Sequence, residues 1–182
     1  MKSYLKPWVF ILTGVVFNIL SAVITHYFIG LNNDRIANID RQINSRQVLI
    51  DSLWQSKNEV EHKKEFFILY FVNRQVGGGL ETDRVNQYYA EYLHETARLY
   101  ELSDYDLKVT EQQSDNIDFL LKFSAAVQSS IIESINSTYF EKLDLEETRM
   151  PIEQGNSRLF SIAIFLQVTG LILILARDLK RN

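Results

Sequence analysis

The chain has 182 residues, with 19 Lys and Arg against 23 Asp and Glu, and it contains no cysteine. The absence of cysteine excludes a disulfide framework, a thiolate nucleophile and a cysteine-ligated metal. With 7 glycines and 2 prolines, the chain is too poor in turn residues for a β-rich or disordered protein, which favours long helices.

The first apolar block runs from Trp8 to Ile29 and has no charged residue over 22 positions. A helix that rises ~1.5 Å per residue crosses ~30 Å of hydrocarbon over this length. The alternative is a cleavable signal peptide, whose apolar core is shorter. Because the block ends in Tyr27 and Phe28, which suit a membrane interface, we predict an uncleaved transmembrane helix over 8–29 after a tail over 1–7.

A long helix is predicted next, from Asn32 to Gln75, since apolar residues recur every three or four positions. The apolar spacing is interrupted at Arg46. The run from Phe66 to Val72 is apolar all round, so we expect it to be buried on most sides, as a helix or as a short buried strand. Glycines 77–79 are expected to end this element.

The spacing predicts a second helix over 82–102, with Val85, Tyr88, Tyr89, Tyr92, Thr96 and Leu99 on one face. Ser103 and Asp106 resemble a capping box that opens a short helix to about Gln113.

A third long helix begins near Ser114 or Asp115, and its apolar stripe runs from Ile117 to Thr138. Pro151 and Gly155 are expected to interrupt the chain before the second apolar block.

The second apolar block runs from Leu159 to Ala176 and has 18 residues, the short end of the spanning range. A buried helix of a soluble protein is the alternative. The sharp stop at Arg177 favours a membrane boundary, so we predict a second transmembrane helix over 159–176 and a tail over 177–182.

The charge distribution predicts the orientation. The two tails carry 5 basic residues and 1 acidic residue, whereas residues 30–158 carry 14 basic and 22 acidic. Because cytoplasmic flanks hold the excess of Lys and Arg, both termini are predicted in the cytoplasm and 30–158 in the periplasm of a bacterial inner membrane. The acidic middle segment is a poor match for nucleic acid, so membrane lipid and protein are the expected partners.

Small and polar residues recur at matched depth in the two spans. Gly14, Asn18, Ser21 and Thr25 share one helix face, as do Ala163, Gln167 and Gly170. Since small residues let helices approach closely and amides hydrogen-bond between them, we predict that these faces meet, within one chain or between neighbours. An Asn18–Gln167 hydrogen bond would set the register. The alternative is that each polar residue is tolerated alone.

These elements predict an all-α membrane protein with two transmembrane helices flanking an extracytoplasmic antiparallel helical bundle with long stalks. Residues 30–75 and 114–158 would pair, with 80–113 packed against their distal half. The predicted packing residues are Phe66, Phe67, Phe71, Tyr88 and Tyr92. In topology alone, this layout is similar to the sensory ectodomain of bacterial chemoreceptor-type proteins.

Catalytic patterns are weak. Glu59 and His62, and likewise Glu91 and His94, have the Glu-x-x-His spacing of di-iron bundles. The helical wheel turns both histidines away from the predicted core, so no metal site is expected. The tyrosines could stack on a ligand, although core packing is favoured. Without a phosphate loop or a nucleophile–base arrangement, we predict no enzyme activity and no cofactor.

Two functions fit this architecture. The first is a non-enzymatic assembly or sensing subunit whose outer bundle binds itself or a partner protein. The second is a membrane-permeabilising effector of the toxin or phage-defence type, which would oligomerise through its two spans. In that case Asn18, Ser21, Gln167 and Thr169 would line a pore.

Overall fold

The computed structural model describes residues 7–75, 82–102 and 117–179, and in these ranges the chain is helical except at residues 100–102, without any strand. The elements are α1 (Pro7–Val23), a π-helical segment (Ile24–Ile29), α2 (Gly30–Gln75), α3 (Thr82–Leu99) and α4 (Ile117–Leu179). The prediction of an all-α fold is confirmed. The strand alternative for 66–72 is excluded, because these residues lie within α2.

The chain divides into two compact units. We call Met1–Asn44 with Lys142–Asn182 the terminal unit, and Ser45–Glu141 the central unit. Each is described separately below.

In the terminal unit, the end of the first apolar block is marked by the π-helical segment rather than by a loop. The hydroxyl of Thr25 donates a hydrogen bond to the backbone oxygen of Ser21, at 2.9 Å. A hydroxyl bonded to the carbonyl four residues earlier competes with the backbone N–H for that oxygen. This bond lies where the helix widens at the end of the apolar block.

The interruption expected at Pro151 and Gly155 is wrong, since α4 continues through both residues. A proline inside a helix removes one backbone hydrogen bond and crowds the preceding turn, at a cost of roughly 3 kcal/mol. Two ion pairs lie beside it, both formed by Arg149. Arg149 is 2.9 Å from Asp40 on α2 and 2.9 Å from Glu153 one turn later, and these contacts support the helical path.

In the central unit, α3 ends earlier than predicted, at Leu99 rather than at residue 102. The end has the hydrogen bonds of a Schellman motif: the N–H of Leu102 donates to the oxygen of Ala97 at 2.8 Å, and that of Glu101 to Arg98 at 3.4 Å. Glu101 has φ 53°, the left-handed conformation that glycine usually supplies. Leu102 packs against the core, which accompanies this motif.

Several predictions lie outside the described residues. They are the glycine turn at 77–79, the short helix at 103–113 and the cap at Ser114 or Asp115.

The core of the central unit is built by α2, α3 and α4. Its fully buried members are Phe67, Tyr89, Leu93, Ala97, Leu120, Phe123, Ser124, Val127 and Ile131. Within this unit α2 and α4 run in opposite directions, because Arg46 pairs with Glu141 and Glu61 with Gln128. Burying each large apolar side chain contributes about 1.5–3 kcal/mol, which makes this core the main source of the unit's stability.

Candidate functional site

The candidate site in the terminal unit is the contact between α1 and α4. At its centre lie Gly14 and Gly170, both buried. A Cβ atom added to Gly14 would lie 2.6 Å from the backbone oxygen of Gly170, and one added to Gly170 would lie 2.8 Å from the oxygen of Gly14. The two backbones therefore touch, which only glycine permits at these positions.

Ser21 and Ala163 form the next contact of this helix pair. The Ser21 hydroxyl donates to the backbone oxygen of Ala163 at 2.7 Å, and both residues are buried. This hydrogen bond joins side chain to backbone, so it depends on the close approach that the small residue at 163 allows.

Asn18 lies in this contact, whereas Gln167 does not. The Asn18 amide donates to the backbone oxygen of Gly14 at 2.9 Å, and it lies 2.9 Å from the position of a Cβ added to Gly170. Gln167 is exposed on α4. The amide-to-amide bond expected between them is thus replaced by a bond within α1, because the glycine contact brings Gly170, rather than Gln167, against Asn18. Thr25 bonds within its own helix.

A ladder of polar groups, missed at the sequence level, joins α2 and α4 farther along the terminal unit. Asn32 donates to Asn156, and Asn156 donates to Asn33, both at 2.9 Å. Counting residues from the ends of the two apolar blocks would have found this ladder. Asn32 follows Ile29 by three residues, and Asn156 precedes Leu159 by three. Asp40 and Arg149 form the next rung.

The two apolar blocks are largely exposed. The helical runs Trp8–Arg74 and Ile117–Ala176 each contain a stretch long and apolar enough to cross a membrane, and only 11% of each stretch is buried. A core helix of a soluble protein would bury most of such a stretch. The surface of these segments is therefore apolar and uncovered by the chain itself.

The aromatic cluster of the central unit centres on Phe67, which is fully buried. Its ring centroid lies 4.6 Å from that of Tyr89, 5.5 Å from that of Tyr92 and 5.8 Å from that of Tyr88. Phe71 also packs on Tyr89, at 5.2 Å. Tyr89 was predicted on this face but not among the packing residues, although it is more deeply buried than Tyr88.

The expectation that residues 66–72 are buried on most sides is wrong. Phe67 and Phe71 are buried, but Phe66 is 51% exposed, and Leu69 and Val72 are exposed as well. The described helices cover one face of α2, so an all-apolar run leaves its other face open. Tyr88 keeps a ring contact with Phe67 while remaining half exposed.

Electrostatic effects in the central unit are local. Burial raises the pKa of the Tyr92 hydroxyl to about 12, because a phenolate in this core would lose its hydration. Hydrogen bonds from Lys64 and Gln128 lower the pKa of Glu61. His62 and His94 are both exposed, and among the described residues no cluster of three or more His, Asp or Glu side chains is placed to hold a metal ion.

A second apolar stripe lies on the outer side of α4 in the central unit. Leu121, Ile132 and Tyr139 are 44%, 40% and 49% exposed. At 100° per residue, the steps of 11 and 7 return each of them to within about 20° of the others. The buried stripe, which includes Val127 and Ile131, lies about 100° away around the same helix. This helix thus carries exposed apolar residues beside its buried stripe, with Gln128 between Leu121 and Ile132.

Comparisons with protein-family models, with curated proteins and with solved structures found no match for this chain.

Proposed function

We propose that the chain is a non-enzymatic integral membrane subunit that assembles with itself or with a partner protein through its outer helical domain. Exposure of both apolar stretches supports the membrane placement, because so much contiguous apolar surface is not left in water by soluble monomers. Lipid is the solvent that suits it.

The proposed topology has both termini in the cytoplasm of a bacterial inner membrane and residues 30–158 in the periplasm as an antiparallel bundle. The excess of Lys and Arg in the two tails supports this orientation. Opposite chain directions of α2 and α4 within each unit support the bundle.

The observation that carries the assembly role is the second apolar stripe of α4. Leu121, Ile132 and Tyr139 repeat at helical spacing on the surface of a unit whose core is already formed. Such a stripe is typical of helices that pack against another helix. A sensing role would use the same surface, with partner contact altered by a signal.

The test is native mass measurement of the full-length chain in lipid nanodiscs, with Ile132→Glu as the disruptive variant. Ser137→Glu is the matched control, since Ser137 is exposed on another face of the same helix. We expect the unaltered chain and the control to be oligomeric or partner-bound, and Ile132→Glu to weaken that state by removing the contact that the outer domain makes. A chain that is monomeric and alone throughout, or a variant that assembles like the control, would contradict the proposal.

The permeabilising effector remains the second candidate because Gln167 is exposed within an apolar stretch. Fewer of the predicted pore-lining residues support it, since Asn18 and Ser21 donate their hydrogen bonds within the helix pair. Leakage of an encapsulated dye from liposomes that contain the purified chain separates the two functions. The assembly subunit leaves the liposomes sealed, whereas the effector releases the dye.

A further inference from the structure

Gln167 is a polar residue on an otherwise apolar surface. It is exposed on α4 in the terminal unit, ten residues before Arg177, which places it ~15 Å along the helix from that charge. In the described part of the chain, no group forms a hydrogen bond with its side-chain amide. In the proposed membrane placement, this amide would therefore face hydrocarbon near the midplane.

An amide in hydrocarbon without hydrogen bonds is unfavourable, so intramembrane polar side chains usually face protein. The Asn18 amide has partners within the chain: it donates a hydrogen bond to the oxygen of Gly14 and packs against Gly170. The chain provides nothing comparable for Gln167. This difference between two amides at similar depth points to a contact outside the chain.

The face around Gln167 has the spacing of a helix-packing seam. Phe160, Ile164, Gln167 and Leu171 are all exposed and follow one another in steps of 4, 3 and 4. Three apolar residues with a single polar one is the pattern with which self-assembling helices set register and copy number. At 100° per residue, the buried Ala163 and Gly170 lie only about 40–60° away, so this seam borders the contact with α1.

We propose that this seam binds a second copy of the chain and that Gln167 pairs with the same side chain of that copy. All copies insert into a membrane in one direction, so the symmetry axis lies along the membrane normal and each residue meets its counterpart at equal depth. A glutamine amide both donates and accepts, so each Nε2–H group bonds the Oε1 atom of the other copy. Lys or Glu at this position would repel itself.

This inference rests on the proposed placement of 159–176 in the membrane. The chain has no native cysteine, so single cysteines report contacts without background. Ile164→Cys and Leu171→Cys probe the seam while keeping Gln167. Phe165→Cys and Ile172→Cys are matched controls, since both residues are exposed but lie about 140–160° around the helix from Gln167.

Oxidation of these full-length variants in native membranes is expected to give disulfide-linked dimers at the two seam positions, at least five times more than at the two controls. Equal yields on both faces would overturn the proposal. A cross-linked product whose mass is not twice that of the chain would also overturn it, because the seam would then bind a different protein.

The role of the amide is tested with Gln167→Leu and Gln167→Asn in the same membranes. Loss of two reciprocal hydrogen bonds is expected to weaken self-association about tenfold in Gln167→Leu. Gln167→Asn, which keeps an amide, is expected to retain most of it. Undiminished association of Gln167→Leu would overturn the assignment of the amide.

Failure of this inference is distinguishable from failure of the proposed function. A chain that is recovered without detergent, and is absent from the membrane fraction, contradicts the membrane placement itself. A membrane-bound oligomer whose seam cysteines do not cross-link contradicts only the contact at Gln167. Rapid reaction of Gln167→Cys with a membrane-impermeant maleimide would contradict that contact too, because it would place residue 167 in water.

Discussion

The terminal and central units hold their helices together by different means. In the terminal unit, α1 and α4 meet through two glycines, a serine and an alanine, and through a side-chain hydroxyl bonded to backbone. In the central unit, contacts are made by large aromatic and aliphatic side chains, with Phe67 and Phe123 fully buried. Apolar burial drives association in water, but it offers no advantage when the surroundings are lipid. The difference therefore matches a change of solvent along the chain.

The largest expected effect distinguishes buried from exposed aromatic side chains in the central unit. Phe67→Ala removes the ring at the centre of the cluster and is expected to destabilise the unit by about 3–5 kcal/mol. Phe66→Ala is the matched control, because the Phe66 ring is half exposed. Its removal should lower the stability of the unit far less. Denaturant unfolding followed by circular dichroism measures both. Similar costs for the two variants would mean that Phe67 is not the centre of a packed core.

In the terminal unit, the comparison predicts that adding one methyl group separates the helices. Gly14→Ala places a Cβ 2.6 Å from the backbone oxygen of Gly170, and such overpacking costs about 1–3 kcal/mol. The same substitution at Gly155, where no atom lies within 4 Å of the added Cβ, should be neutral or stabilising. Unfolding in bicelles compares the two variants. If Gly14→Ala proved as stable as Gly155→Ala, the backbone contact would be wrong.

A third prediction uses pH to test burial in the central unit. The folded pKa of Tyr92 is raised to about 12 from an ordinary value of 10.0. The stability that its neutral form contributes is therefore complete below pH 10 and is lost as pH rises towards 12. The loss is at most about 1.4 kcal/mol per pH unit in that interval. Tyr92→Phe should remove this part of the alkaline destabilisation, as measured by denaturant unfolding at a series of alkaline pH values. Identical pH profiles for Tyr92→Phe and the unaltered chain would contradict the burial of Tyr92.

The smallest effect concerns the hydroxyl contact between the helices of the terminal unit. Ser21→Ala removes the hydrogen bond to the oxygen of Ala163, and the expected cost is about 0.6–1 kcal/mol. Thr13→Ala is the control, because that hydroxyl bonds only within its own helix. Thermal unfolding in the same bicelles compares them. A larger cost at Thr13 than at Ser21 would indicate that the interhelical bond contributes nothing.

Much of this architecture follows from spacing alone. Helix periodicity is local, so the steps of 4 and 3 placed Gly14, Asn18 and Ser21 on one face before any partner was known. The pairing of Gly14 with Gly170 also follows from counting, since Gly14 lies seven residues after Pro7 and Gly170 lies seven residues before Arg177. Both features depend on geometry that each helix carries by itself.

The remaining features depend on contacts with other helices, and the spacing of residues along one helix carries no information about those contacts. Pro151 stays inside α4, and the neighbouring Arg149 pairs with Asp40, a residue more than a hundred positions away. The exposure of Phe66 depends on how much of α2 the other helices cover. The choice of Gly170, rather than Gln167, as the neighbour of Asn18 depends on the angle at which the helices meet. Local patterns do not determine these outcomes.

The central claim, that lipid surrounds the two apolar stretches and water surrounds the central unit, is tested most directly by the two tryptophans of the chain. Trp8 is exposed in the terminal unit, and Trp54 is exposed in the central unit. In liposomes of brominated lipid, Trp54→Phe leaves Trp8 as the reporter, and Trp8→Phe leaves Trp54. The account predicts that bromine quenches Trp8 strongly and Trp54 little, while aqueous acrylamide does the reverse. Equal quenching of both by acrylamide, with no effect of bromine on Trp8, would contradict it.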